Sequence, residues 1–158
     1  MLQDLFSKDL VWSLSFDNQT ELFKAVADRL KDRDVVKDSY KEALITREAS
    51  FPTGLDMEFL GKELPNVAIP HTDTGHCLAE KVAIVRLDHP VTFHNMIAPS
   101  QTVQVSLLFF IINGSNESQT GILAKLMDFF TGVGNLEGLS KCESDEEIYA
   151  YVMDRMKD

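Results

Sequence analysis

The 158-residue sequence has little that would hold it together covalently or draw it to a polyanion. It has only two cysteines, Cys77 and Cys142, which are far apart and form no CxxC pair. A disulfide scaffold is therefore excluded, and a reducing, cytoplasmic setting is expected. Basic residues are outnumbered 15 to 25 by acidic ones, a formal net charge of −10. That balance argues against sequence-neutral nucleic-acid binding and against adsorption to anionic membranes, both of which depend on Lys and Arg. The longest apolar run, Val103 to Ile112, is about half of the roughly 20 residues a membrane helix needs, so direct membrane insertion is not expected. The first residues, Met1 to Asp9, carry two acids and lack the basic start of a secretory leader. No internal repeat, low-complexity tract, HExxH or GxSxG is found.

What remains is an ordinary globular composition, 44% hydrophobic and 25% charged, long enough for one domain over residues 1–158 to bury a core. Leu22, Val26, Ala27 and Leu30 follow helical spacing behind the cap candidates Asp17 and Asn18. A second helix is expected from Ser39 to about Thr46, broken by Pro52-Thr53-Gly54. Val67 to Ile69 and Val82 to Leu87 read as strands. Asp88-His89-Pro90 reads as a turn into a possible edge strand, Val91 to His94. Val103 to Ile112 reads as a strand covered on both faces. Ile122, Leu123, Leu126, Phe129 and Phe130 give a helix with a broad apolar face, and Leu136 to Leu139 a helical turn. Ser144 caps a last helix lined by Ile148, Val152 and Met156. The order of elements gives an α/β fold: a small mixed β-sheet of about five strands with helices on both faces.

The most informative stretch is Asn66-Val67-Ala68-Ile69-Pro70-His71. Pro70 fixes its own φ and favours an extended residue before it, which places the His71 imidazole at the end of a stiff strand. Upstream lie Thr46-Arg47-Glu48 and Phe51-Pro52-Thr53-Gly54. A histidine that carries phosphate needs a free neutral nitrogen, a cation to offset the incoming charge and access for a protein donor. His71 can provide the nitrogen and Arg47 a forked guanidinium. Thr53, Thr72 and backbone N–H groups near Gly54 are further candidate donors. Plainer roles fit the same residues: a turn histidine, an arginine paired with Glu48 or another acid, a threonine that caps a turn. His71, Asp73 and His76 also form a candidate zinc cluster, with Cys77, His89 and His94 nearby, but their spacing matches no established zinc motif and no resident metal is expected.

Arg47-Glu48, Phe51-Pro52-Thr53-Gly54-Leu55 and the Asn66 to His71 segment resemble the fructose/mannitol class of enzyme IIA domains of the bacterial sugar phosphotransferase system. The resemblance runs from about Leu22 to Met156, and the Phe51 to Leu55 wording is nearest the galactitol-type branch. It implies a mannitol-type IIA-like fold and a phosphotransferase that needs no cofactor. It also implies that His71 accepts phosphate from phospho-HPr and passes it to a cysteine of a cognate enzyme IIB, which serves a membrane IIC subunit. Arg47 would contact the phosphoryl group. Mannitol-type members carry a second active-site histidine just before the helix that begins near Ile122, and here Gln119 takes its place. Gln119 can donate an amide hydrogen bond but cannot become positively charged. Of the other histidines, His76 is expected nearest the site. The alternative implied by the same resemblance is a regulatory protein whose phosphorylation state controls a protein target.

Overall fold

The computed structural model describes residues 2–115 and 119–156, with the side chains of Leu2, Gln119 and Thr120 outside that description. Five strands form one sheet: β1 (Val11–Leu14), β2 (Gly54–Leu55), β3 (Asn66–Ala68), β4 (Glu80–His94) and β5 (Thr102–Asn113). Their order is β1-β4-β5-β3-β2. β1 runs parallel to β4, and β3 parallel to β5, while β4–β5 and β2–β3 are antiparallel. Helices α1 (Gln19–Asp32) and α2 (Tyr40–Ser50) cover one face, and α3 (Gln119–Thr131), α4 (Asn135–Ser140) and α5 (Asp145–Arg155) the other. The expected α/β class, mixed sheet and two-sided helical cover are all present.

Strand alternation divides the core in two. Along β4, Ala83, Val85 and Leu87 pack under α1 and α2, while Val82 and Ile84 face the α3–α5 side. β5 starts with Val103 and Val105 on the α1 side, then changes phase so that Leu108, Phe110 and Ile112 occupy that face. The slip falls at Ser106, because Val105 and Leu107 pair with the consecutive residues Asn66 and Val67 of β3. On β4 the same two residues pair with Val91 and Arg86, so residues 87–90 bulge out of register. The expected turn at Asp88-His89-Pro90 is therefore an excursion within one continuous strand. Pro90 has no N–H to donate and suits this unpaired position.

The helix boundaries follow local chemistry. Asn18 caps α1 by accepting from the Glu21 N–H, and Ser144 caps α5 by accepting from the Glu147 N–H. α2 extends one turn beyond the expected end near Thr46, which places Arg47 and Glu48 on its last turn. The chain then crosses to β2, whose Gly54 lies against β4: a Cβ on Gly54 would approach the His94 carbonyl oxygen to 2.7 Å. Gly54→Ala is expected to cost about 1–3 kcal/mol, since backbone rather than a flexible side chain must move. Gly121, on α3 with open space around its Cα, is the control; Gly121→Ala should instead gain about 0.5–1 kcal/mol. Urea unfolding of the two variants measures both.

Candidate functional site

The β2–β3 pair and the end of β5 position the imidazole. Gly54 pairs with Ala68, and the Ile69 N–H donates to the Thr53 carbonyl at 3.3 Å. The Pro70 carbonyl accepts from the Ile111 N–H at 3.0 Å, which extends the pairing with β5 to His71 itself. His71 is only 8% exposed. Its Nδ1 lies 2.8 Å from the Ile69 carbonyl oxygen. A carbonyl only accepts, so Nδ1 carries the proton and Nε2 keeps its lone pair. Burial is the main influence that pushes the His71 pKa below the usual histidine value; the Ile69 bond raises it, Arg47 lowers it and Asp73 raises it. The imidazole is neutral at pH 7, the form a nucleophile requires.

Arg47 projects from the last turn of α2. Its Nη1 donates to Asp73 Oδ1 at 3.2 Å, and its guanidinium carbon lies 5.1 Å from the centre of the exposed Phe51 ring. Its Nε is buried without a hydrogen-bond partner. A buried N–H of a cation left unpaired is costly, and an anion oxygen would satisfy it. Arg47 therefore pairs with Asp73, and not with its neighbour Glu48.

Glu48, 5% exposed, faces the other way and holds the loop that follows α2. Its Oε2 accepts from the Thr53 N–H at 2.7 Å and its Oε1 from the Thr53 hydroxyl at 2.8 Å. Thr53, expected as a phosphate contact, commits both donors to this carboxylate. Desolvation raises the Glu48 pKa to about 7, opposed by the two Thr53 bonds and the Arg47 charge. Sequence reasoning saw Glu48 only as a motif partner of Arg47. Its position four residues after Leu44, on the buried stripe of α2, was the available signal.

The rest of the segment is held from below. The Thr72 hydroxyl donates to the Asp73 carbonyl at 2.9 Å and lies 3.7 Å from Cys77 Sγ. His76, on a short turn from Thr74 to His76, bonds through Nδ1 to the Ser39 hydroxyl at 2.8 Å, and its carbonyl accepts from Lys37 N–H. His89 and His94 are engaged elsewhere, with Ser15 Oγ and the Pro99 carbonyl. Among the described residues no group of three or more His, Cys, Asp or Glu is placed to hold a metal ion. The Gln119 side chain lies outside the described residues. No helix of the described residues is long and apolar enough to cross a membrane.

Comparison with known proteins gives a consistent result. The family model described as "Phosphoenolpyruvate-dependent sugar phosphotransferase system, EIIA 2" matches residues 4–154. The galactitol-specific EIIA component of the phosphotransferase system of Escherichia coli (strain K12) is 29% identical over 110 residues, covering 70% of this chain and 69% of that protein. The enzyme IIAMTL in a complex with phosphorylated enzyme IIBMTL from Escherichia coli superposes with a TM-score of 0.74 at 18% identity, over 96% of this chain and 100% of that one. The nitrogen regulatory protein IIA-Ntr from Neisseria meningitidis gives 0.69 at 23% identity, over 95% and 97%. At these identities the two structures establish the shared fold.

The shifted carboxyl has a consequence for stability. Glu48 holds its proton to about pH 7 when folded and releases it near 4.5 when unfolded, so its contribution is full below pH 4.5 and is lost as the pH rises towards 7. Glu48→Gln can keep both contacts if the Thr53 hydroxyl turns to accept. The variant should lose that part of the wild-type decline in urea midpoint between pH 4.5 and 7. Parallel pH profiles for the two proteins would show that the carboxyl is not shifted.

Proposed function

This chain belongs to the EIIA 2 family of the phosphoenolpyruvate-dependent sugar phosphotransferase system, and we propose that it carries the phosphoryl group on His71 Nε2. It is a phosphotransferase component of that system. The observation that supports His71 most is its Nδ1–H bond to the Ile69 carbonyl, which leaves Nε2 as the lone-pair nitrogen of a neutral ring. In the proposed cycle the Nε2 lone pair forms a bond to phosphorus as the N–P bond of phospho-HPr breaks, and that bond's electron pair stays on the donor nitrogen. In the second step a thiolate of the cognate IIB forms an S–P bond, and the electron pair of the breaking N–P bond returns to Nε2. His71 neither gains nor loses a proton in either direction.

Phosphoryl transfer asks the protein mainly for positioning and charge stabilisation. Arg47 supports this with an unpartnered buried Nε and an Nη1 held, among the described residues, by a solvent-exposed carboxylate. Thr53 acts in this reading as a positioning residue, through Glu48 on one side and Ile69 on the other. Gln119, at the start of α3, is proposed as an amide donor to the phosphoryl group. Partner docking is supported by the exposed rings and chains next to the site: Phe51 against Arg47, and Ile97 on the turn whose Met96 N–H donates to the Gly54 carbonyl. The galactitol-specific relative supports a galactitol-type transport role, and the IIAMTL–IIBMTL complex supports a IIB partner; the proposed reading adds a membrane IIC subunit downstream and a cytoplasmic location.

Incubation with phosphoenolpyruvate, enzyme I and HPr should add one phosphoryl group to the wild type and none to His71→Ala, as read by intact mass. A labelled His71→Ala protein would contradict the assignment. Arg47→Lys keeps the charge and loses the fork. Stopped-flow transfer should slow by about 10- to 100-fold, the value of one hydrogen bond to a charged group, with the urea midpoint unchanged. Passage of phosphate to a galactitol-type IIB domain separates the transport role from a purely regulatory one, which predicts no such acceptor.

A further inference from the structure

Asp73 is two residues beyond His71 and precedes the Thr74–His76 turn in the N-cap position, with extended backbone. A carboxylate there ordinarily caps the turn, yet Asp73 makes no side-chain cap bond. It reaches instead to Arg47 Nη1 at 3.2 Å. The Asp73 side chain is 84% exposed, against 31% for Arg47. One end of the contact is therefore anchored in the site and the other lies in water. Such a pair is weakly held and easily exchanged. The same guanidinium offers a buried Nε with no partner, so its donors are only partly used while Asp73 is their sole acid among the described residues.

From this arrangement, and resting on the reading that His71 is the phosphoryl carrier, we propose that Asp73 is the resident partner of Arg47 in the unloaded protein. The arriving phosphoryl group displaces it from the guanidinium. The displaced carboxylate stays tethered two residues from the phosphohistidine, where two anions compete for one cation. The repulsion raises the loaded state in free energy and keeps the group easy to pass on. Asp73 is thus a positioning residue that sets the balance between loading and release. The charged groups acting on His71 are Arg47 from α2 and Asp73 from its own segment, with opposite effects on the ring. Removing Asp73 leaves Arg47 unopposed.

The test compares the full-length wild type with Asp73→Asn, both phosphorylated by enzyme I and HPr at a fixed ratio of phosphoenolpyruvate to pyruvate. The exchange of one exposed ion pair predicts an equilibrium phosphorylation constant higher by about twofold to fivefold in Asp73→Asn. The phosphoprotein, once separated from its donor, should lose its label more slowly by a similar factor. NMR titration of the unphosphorylated proteins should place the His71 pKa lower in the variant than in the wild type, a change that a merely structural side chain would not produce. Equal equilibrium constants and superimposable titrations, with the wild type fully labelled, would overturn the role of Asp73 and leave His71 as the carrier. A wild type that takes no label would overturn the carrier reading, and the inference with it.

Discussion

One hydrogen bond sets the chemistry available to this site: His71 Nδ1–H to the carbonyl of Ile69. It spans only two residues, and it exists because Pro70 between them holds the backbone extended while Ile111 on β5 grips the Pro70 carbonyl. Without it, the ring could carry its proton on either nitrogen and turn freely. With it, the proton is committed to Nδ1, and Nε2 keeps a lone pair. Burial then holds the ring neutral. The strand, the proline and the sheet register all act on the His71 ring through this contact.

Around that ring the polar groups are arranged in two pairs with different duties. Glu48 and Thr53 form the inner pair, which ties the end of α2 to the loop leading into β2 and, through the Thr53 carbonyl, to Ile69. The path from the Glu48 carboxylate to the His71 ring is thus a continuous series of hydrogen bonds. Arg47 and Asp73 form the outer pair, half in water and open to exchange. Neighbouring residues in sequence therefore serve opposite ends, because adjacent positions on a helix point about 100° apart. Glu48 faces the protein and Arg47 reaches the exposed Asp73 carboxylate.

Much of this was legible in the sequence. The apolar stripe of α1, the doubly covered β5 and the Pro70-His71 step each carry a strong local pattern, and each is where the pattern puts it. The short strands β1 and β2 were not located, because four and two residues hold too little periodicity to separate from a loop. Asp88-His89-Pro90 has the composition of a turn, but the two flanking runs pair with the same strand, so long-range register overrode local preference. In the site, residue type nominated His71 and Arg47 as candidates beside plainer roles, and the family resemblance singled them out. The pairing of Thr53 with Glu48, and of Arg47 with Asp73, could not, since each depends on loops brought together across 5 and 26 residues.

The central claim is that a fixed tautomer presents Nε2 for phosphorylation. Long-range 1H–15N correlation spectra of the His71 ring test it most directly, recorded near neutral pH before and after phosphorylation. The account predicts a neutral ring with its proton on Nδ1 in the free protein and phosphorus bonded to Nε2 in the loaded one. A proton on Nε2 in the free protein, or phosphorus on Nδ1 in the loaded one, would contradict it.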